Sequence, residues 1–442
     1  MSLSDFPLFK VIAEAIGIAT SREKLKQTAV TPLYSNAFYL MLNTAVTSLL
    51  GFFFWMIVAR LYTEKPEVVG FSSAIISAIS LLSLAGLAGL NISLVRFLPH
   101  AEKPRELINS CYTLGGLLSL VLAGIFLVGL GFWSPALAFI RQNAIFASAF
   151  IVFTILWTLS TMMDFTFVAE RRAGFVLSKN TIFSVLKLFL PILFVGSFHA
   201  FGIVASWGIA VAVAAAVSVF LFLPRVQDSY KPVPTLKLSL LKDIWRYSVG
   251  NYLANLFMTG LPFILPLMVV NLLAAEQNAY FYVGWLIAGL LFAIPGAIST
   301  SLLAEGSHFE DKLKENVARS LKFTFLLLVP TTILLAAAGK WLLLIFGHGY
   351  SLNSLPLLRV LCLSSLPLGV NHIYTGILRV TGRIKELIVI WGFIALAVLL
   401  SSYLIMPLTG ITGIGYAWLG MQLIVAIYIL AARKLIPPPT RI

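Results

Sequence analysis

Twelve long apolar runs divide this chain of 442 residues. A run of about 20 apolar residues spans the roughly 30 Å hydrocarbon layer as an α-helix, whereas barrel strands are about ten residues long and alternate. With 60% hydrophobic and 11% charged residues, the chain has too little polar surface to cover a soluble fold. The sequence therefore predicts an all-α polytopic membrane protein, with spans that start near Asn36, Val68, Ile108, Ile145, Gly174, Gly202, Trp245, Ala279, Ser320, Leu355, Lys385 and Ile411.

The basic residues lie mainly in alternate segments between these runs. Of the 31 Lys and Arg residues, 24 fall in the two tails and the loops after even-numbered spans, and the other loops hold only Arg60, Lys65, Arg141 and Lys340. By the positive-inside rule, both termini are cytoplasmic and the protein is a multi-pass protein of the cytoplasmic (inner) membrane. The net charge of +14 is spread next to the membrane, so it indicates membrane lipids as partners and no nucleic acid.

The spacing of the runs indicates an internal duplication. Corresponding span starts in the two halves differ by 209 to 212 residues. Because each half has an even number of spans, the halves share one orientation and are predicted to form two six-helix lobes related by a pseudo-two-fold axis along the membrane normal, with a central cleft. The predicted segments are an interfacial N-terminal segment 1–35, lobes 36–224 and 245–434, a cytoplasmic linker 225–244 and a cytoplasmic tail 435–442.

Three stretches of the sequence carry recognisable motifs. They are residues 58–99, with Ala59-Arg60, Gly70-Phe71, Gly86, Gly89, Asn91 and Arg96 to Pro99, then FVAERRAGF from Phe167 and ILRVTGRIKEL from Ile377. These stretches resemble polysaccharide transporters (oligosaccharide and O-antigen flippases) of the multidrug/oligosaccharidyl-lipid/polysaccharide exporter superfamily, here MOP. The resemblance implies a flippase for lipid-linked oligosaccharides that works by alternating access beside a polysaccharide polymerase and glycosyltransferases. It also implies that Arg60 and Arg96 contact pyrophosphate, although topological anchoring explains both residues equally well.

Few ionisable side chains fall inside the spans, where each costs at least about 2.5–3.5 kcal/mol on insertion scales. Asp164 and Lys179 lie at similar depth, because the fourth and fifth helices run antiparallel around the turn at Arg171 and Arg172. We therefore predict that Asp164 and Lys179 form an ion pair. A structural pair fits the sequence, and so does a functional pair in which Lys179 contacts the anionic substrate and Asp164 couples or gates transport.

Lys187 is predicted to lack such a partner. It lies about 22 Å from the same turn at 1.5 Å per residue, opposite Leu156 and Trp157. A lone ammonium at this depth is predicted to bind the phosphate or pyrophosphate of the substrate, or else to snorkel outward. Arg359, in the outward part of the tenth helix, either faces the same cleft or snorkels to the interface.

Several other residues are candidates for gating or bending. His372 fits either a proton-linked gate or a hydrogen-bonded packing residue, and Glu305 fits either a gate or a solvated rim residue. Pro262, Pro266 and Pro295 are predicted hinges, with static bends as the alternative, because proline removes a backbone donor and bends a helix.

Two other functions remain to be weighed. A multidrug or cation antiporter of the same superfamily uses buried acids, but here one deep acid faces at least two deep bases, which favours an anionic substrate. A membrane glycosyltransferase needs paired carboxylates and metal ligands on the outer side, where the loops are short. The sequence has no Walker motif, so we predict a secondary-active or potential-driven transporter, and no metal or cofactor.

Overall fold

The computed structural model describes residues 32–194, 199–228, 230–308, 312–432 and 435. Twelve helices in this part of the chain are long and apolar enough to cross a membrane, which confirms the predicted spans. The predicted N-terminal segment up to residue 31, and the tail except residue 435, lie outside the described residues. The long helices are α1 Pro32–Leu61, α2 Pro66–Leu87, α3 Pro104–Val128, α4 Ala144–Ala169, α5 Ala173–Phe194, α6 His199–Val217, α7 Leu238–Leu272, α8 Ala275–His308, α9 Leu313–Leu344, α10 Leu355–Val380, α11 Ile384–Thr409 and α12 Thr412–Ala431.

Short helical segments connect or extend the long helices. After α2 the chain continues as Leu90–Phe97 and a 3-10 turn, and α6 runs through a π-helical turn at Ser218–Phe222 into Leu223–Val226. We call α1–α6 the first half and α7–α12 the second half. The end of the molecule that carries the segment between the halves, together with the α4–α5 and α10–α11 turns, is called the linker face, and the opposite end the far face.

The α4–α5 and α10–α11 turns have closely similar geometry, 211 residues apart. Arg171 and Gly382 both have positive φ angles, of 54° and 67°. In both turns the next residue donates a 2.8 Å backbone hydrogen bond to the residue five positions earlier, from Arg172 to Phe167 and from Arg383 to Leu378. Because the two turns match residue for residue, the sequences of the two helix pairs align without a gap at an offset of 211 residues. The predicted two-fold relation of whole lobes stays a prediction.

The two halves meet where α2 packs against α7 and α8. At the far face Gly70 lies so close to α8 that an added Cβ would stand 1.6 Å from the carbonyl oxygen of Ala275. Only glycine fits there, and Asn278 Nδ2 donates to the oxygen of Gly70 at 2.7 Å. Towards the linker face, Tyr252 of α7 donates its hydroxyl hydrogen to the carbonyl oxygen of Ala85 at 3.0 Å. Helix α2 therefore contacts the second half near both of its ends.

Helix α1 is packed at one end and exposed at the other. At the far face the Trp55 ring lies 4.5 Å from that of Tyr282, and Arg60 donates to the carbonyl oxygens of Leu344 and Ile345 at the end of α9. Towards the linker face the side chains are open, as for Met41, which is 73% exposed. Helix α1 thus closes against the second half at the far face, whereas the described neighbouring helices leave the linker-face end of α1 uncovered.

The segment between the halves is docked on α3. The helical part of α7 begins at Leu238, within the predicted linker 225–244. Tyr230 donates to Asn109 at 2.8 Å, Thr235 N donates to Thr113 Oγ1 at 3.0 Å, and Lys237 forms an ion pair with Glu106. Burial raises the pKa of Tyr230 to about 12. Local polar contacts thus hold this segment along one face of α3.

The predicted hinge prolines lie inside continuous helices, Pro262 and Pro266 in α7 and Pro295 in α8. Their role as hinges stays a prediction. Cys111 and Cys362 are buried free thiols in α3 and α10.

Candidate functional site

A cavity of about 310 Å³ lies between α1, α4 and α5 in the first half. Although the cavity lies within the membrane-spanning part of the helices, amides, hydroxyls and three charged groups line it. Apolar helices place these groups there on their inward faces. The lining residues are Asn43, Thr47, Trp157, Ser160, Thr161, Asp164, Lys179, Asn180, Phe183, Ser184 and Lys187.

The predicted pair of Asp164 and Lys179 forms in this cavity. Lys179 Nζ lies 2.9 Å from Asp164 Oδ1. It also donates to the carbonyl oxygen and to the hydroxyl oxygen of Ser160, both at 2.8 Å. The Lys179 side chain is buried, whereas that of Asp164 remains 25% exposed. These contacts satisfy the ammonium, because three acceptors surround its three protons. Lys179 is thus neutralised inside the helix pair, and Asp164 faces the open space.

A chain of polar contacts joins this pair to α1. Asn180 Nδ2 donates to Asp164 Oδ2 at 3.3 Å and to Asn43 Oδ1 at 3.1 Å. Thr47, one turn along α1, donates its hydroxyl hydrogen to the carbonyl oxygen of Asn43. The carboxylate of Asp164 is therefore connected to α1, whose linker-face end is exposed.

Lys187 reaches the same cavity from about two turns further along α5. Its side chain is 8% exposed, and its ammonium lies 4.6 Å from the centre of the Phe183 ring and 5.5 Å from that of Phe54. Gly51 of α1 leaves space beside it, since a Cβ there would stand 3.9 Å from Nζ. Among the described residues, no carboxylate or hydrogen-bond acceptor contacts this ammonium. Aromatic faces stabilise a cation only in part, so the charge remains available to an anion.

The other predicted site residues lie outside this cavity. Arg60 contacts carbonyl oxygens at the far face, and Arg96 lies over the ring of Phe97, 5.7 Å from its centre. Arg359 is exposed near the start of α10. His372 packs 5.5 Å from the ring of Trp391 in the second half, and Glu305 is exposed on α8 towards the linker face. The structure thus brings together Asp164, Lys179 and Lys187 but not these five residues.

Sequence reasoning missed Asn43, Ser160 and Asn180. A local signal exists for Ser160, which precedes Asp164 by one helical turn and so shares its face. Asn43 has no such signal, because it lies 137 residues from the Asn180 side chain that it contacts. Arg379 is half-buried in the last turn of α10, where it contacts Met258 Sδ at 3.7 Å.

The charge balance defines what this cavity can bind. Within the described ranges, no three His, Cys, Asp or Glu side chains come close enough to hold a metal ion together. The one acidic group is already paired with Lys179, so Lys187 leaves the cavity with a net positive charge. Hydroxyl and amide groups beside it supply further hydrogen-bond donors. The arrangement suits an anion.

Transporters of low sequence identity have the same fold. The lipid II flippase MurJ, in an inward closed conformation, superimposes with a TM-score of 0.71 at 14% identity, over 89% of this chain and 87% of that one. An inward-facing multidrug resistance MATE family transporter of the MOP superfamily gives 0.66 at 15% identity, over 88% and 94%. A MOP superfamily transporter from Pyrococcus furiosus gives 0.58 at 15% identity, over 91% and 96%.

Sequence comparison assigns the family. A search of curated proteins finds no match. Residues 57–354, two thirds of the chain, match the family described as polysaccharide biosynthesis protein. This match agrees with the resemblance seen in residues 58–99 and around the α4–α5 turn. The chain belongs to the polysaccharide biosynthesis protein family, and it has the fold of MOP superfamily transporters and flippases.

Proposed function

We propose that this protein is a flippase that moves a lipid-linked oligosaccharide, carried on polyprenyl phosphate or pyrophosphate, across the cytoplasmic membrane by alternating access. One observation carries the proposal: the ammonium of Lys187 is buried in a cavity where no described side chain neutralises it. A buried charge without a partner is costly and is kept where a ligand supplies the opposite charge. Lysine is a point-charge ligand for phosphate.

The size of the cavity favours the phosphate group over the rest of such a substrate. About 310 Å³ is roughly ten times the 30 Å³ that one water occupies in the liquid. This volume accommodates a phosphate or pyrophosphate with a few waters, but not an oligosaccharide. In our proposal, the sugars and the lipid therefore lie outside it, in the cleft between the halves and in the membrane.

The uneven packing of α1 supports a substrate that keeps its lipid in the membrane. Helix α1 meets the second half through Trp55 and Arg60 at the far face, while Met41 and its neighbours are exposed towards the linker face. Thr300 and Glu305 add exposed polar groups on α8 at that end. In the proposed mechanism, a lipid-linked headgroup enters sideways between α1 and α8 while its lipid stays outside.

In our proposal, the contacts of Asp164 couple the binding of the anion to the movement of α1. Its carboxylate binds Lys179 on α5 and, through Asn180, Asn43 on α1. An anion at Lys187 changes the field at this network, and protonation of Asp164 releases Lys179 as a second cation. Both events alter the attachment of α1 to α5. By the positive-inside rule the linker face is cytoplasmic, so loading occurs on the side where lipid-linked units are assembled by glycosyltransferases.

The proposal is tested with a fluorescent polyprenyl-pyrophosphate-linked sugar in proteoliposomes. The fraction that becomes accessible to a membrane-impermeant quencher measures its movement. We expect transport by the wild type, partial transport by Lys187→Arg, and loss of transport in Lys187→Ala with unchanged expression. Lys340→Ala, which removes an exposed cation at the far face, is the matched control and keeps wild-type activity.

Two outcomes contradict the proposal. Normal transport by Lys187→Ala removes the assigned role of that residue. Failure of the wild type to move the labelled lipid, together with exchange of ethidium for protons or sodium, identifies a cation antiporter instead.

A further inference from the structure

A second cavity lies on the outside of the second half, away from the charged cavity. It has a volume of about 580 Å³ and forms a groove between α11 and α12 that begins at the linker face. Its walls are mostly apolar and its mouth is charged. The walls are formed by Val389, Ile390, Phe393, Ile424 and Val425, and Lys385 stands at the mouth.

The corresponding position on α5 in the first half carries an aromatic side chain. Glu386 lies beside the groove, and the residue 211 positions earlier is Phe175. The Phe175 ring packs against that of Phe222, with centroids 5.0 Å apart, and so bridges α5 and the end of α6. Glu386 instead turns to an ion pair with Arg383 and accepts a hydrogen bond from Tyr374. At this position the first half therefore has an aromatic ring between its two helices, whereas the second half has Glu386 at the edge of the groove.

The groove has the dimensions of one membrane leaflet. Lys385 and Phe393 are eight residues apart on α11, which is about 12 Å at 1.5 Å per residue. One leaflet of the hydrocarbon layer is about 15 Å thick, half of roughly 30 Å. Val389, in the middle of the groove, is 67% exposed. An apolar chain that lies along the groove from its mouth thus remains within the leaflet on the linker-face side.

The charge at the mouth of the groove is complementary to one class of lipid headgroup. Lys385 is exposed, and because Glu386 is ion-paired with Arg383, no described carboxylate is paired with the ammonium of Lys385. Basic residues between membrane helices on the cytoplasmic side attract anionic lipid headgroups, at about 1 kcal/mol for each cation. An apolar groove with a cation at the interface is complementary to a lipid with a negatively charged headgroup.

We propose that the α11–α12 groove binds an anionic phospholipid of the leaflet at the linker face, with one acyl chain along Val389 and Phe393 and the headgroup phosphate at Lys385. This site is separate from the cavity around Lys187 and does not depend on the proposed transport activity. It anchors the second half to the lipid while α1 and the first half handle the substrate.

Native mass spectrometry of the full chain tests this site, with phosphatidylglycerol and phosphatidylcholine of identical acyl chains as probes. We expect the wild type to retain phosphatidylglycerol preferentially. Lys385→Ala is expected to lower that retention about fivefold, the equivalent of about 1 kcal/mol. Val389→Trp, which fills the groove and keeps Lys385, is expected to lower retention of both lipids. Lys314→Ala removes another exposed cation near the linker face and serves as the control.

Equal retention by Lys385→Ala and Lys314→Ala overturns the assignment of the headgroup. Unchanged retention by Val389→Trp overturns the assignment of the groove. Displacement of phosphatidylglycerol by an equimolar amount of polyprenyl phosphate shows that the groove serves the substrate lipid instead. Because transport is not measured, failure here leaves the proposed flippase activity unaffected, and failure of the transport test leaves this site unaffected.

Discussion

The helix pairs α4–α5 and α10–α11 have the same turn geometry but opposite interiors. The residues 211 positions after Asp164, Lys179 and Lys187 are Thr375, Ile390 and Val398. Trp391 takes the position of Asn180, and its indole nitrogen donates to Thr375 at 2.9 Å. One pair thus encloses a charged cavity, whereas a buried aromatic ring occupies the other.

This difference suggests separate roles for two helix pairs that share one turn geometry. A charged cavity costs stability, because the free energy of desolvating buried ionic groups exceeds their mutual attraction unless their geometry is favourable. The packed interior around Trp391 in the second pair instead contributes stability. We expect substitutions to separate accordingly, with losses of stability alone in α10–α11 and losses of transport in α4–α5.

The largest effect is expected from Trp391→Ala. This change removes a buried indole and should lower the free energy of unfolding by about 4 kcal/mol, as measured by thermal unfolding in detergent. The labelled lipid should still be moved by the folded fraction. Trp341→Ala, at a side chain that is 68% exposed, is the control and should change stability little. Loss of transport by folded Trp391→Ala would show that the second pair also contacts substrate.

The next effect is expected from Lys179→Ala, which leaves the carboxylate of Asp164 without its cation and should cost about 3 kcal/mol. A double variant, Lys179→Ile with Asp164→Thr, carries the residues found 211 positions later. It should recover most of that stability because both charges are gone, while transport stays abolished. If the free energy of unfolding of the double variant is as low as that of Lys179→Ala, the proposed difference between the two helix pairs is wrong.

The smallest effect, and the only gain, is expected from Lys187→Met. Methionine keeps a chain of similar shape but removes the buried charge, so stability should rise by about 2 kcal/mol while transport is lost. Lys340→Met, at an exposed position, should alter neither property. A fall in the unfolding temperature of Lys187→Met would mean that its ammonium stabilises the fold, and that the cavity is structural.

The charged residues of the cavity illustrate which contacts a sequence can predict. Asp164 and Lys179 flank a short antiparallel turn, so their equal depth follows from counting residues along two helices. The absence of an acid opposite Lys187 follows from the same counting. Neither inference needs any knowledge of how the twelve helices are arranged.

Contacts between distant helices could not be found in this way. Asn43 contacts Asn180 from 137 residues away, and Arg60 contacts Ile345 from 285 residues away. The approach of Phe54 to Lys187 likewise depends on the packing of α1 against α5. For Arg60 the sequence leaves open both a pyrophosphate contact and topological anchoring, and only the structure shows its contact with the end of α9.

The sequence by itself determined the twelve spans and the pairing of Asp164 with Lys179, while the orientation and the duplication that it predicts stay predictions. These features depend on local hydropathy, on charge beside each span and on short turns, which are properties of neighbouring residues. Only the tertiary structure decided that α1 covers Lys187, that the far face is closed, and that a groove opens between α11 and α12. Those features arise from side-chain packing between helices far apart in the chain, where shape complementarity, not hydropathy, selects the partner.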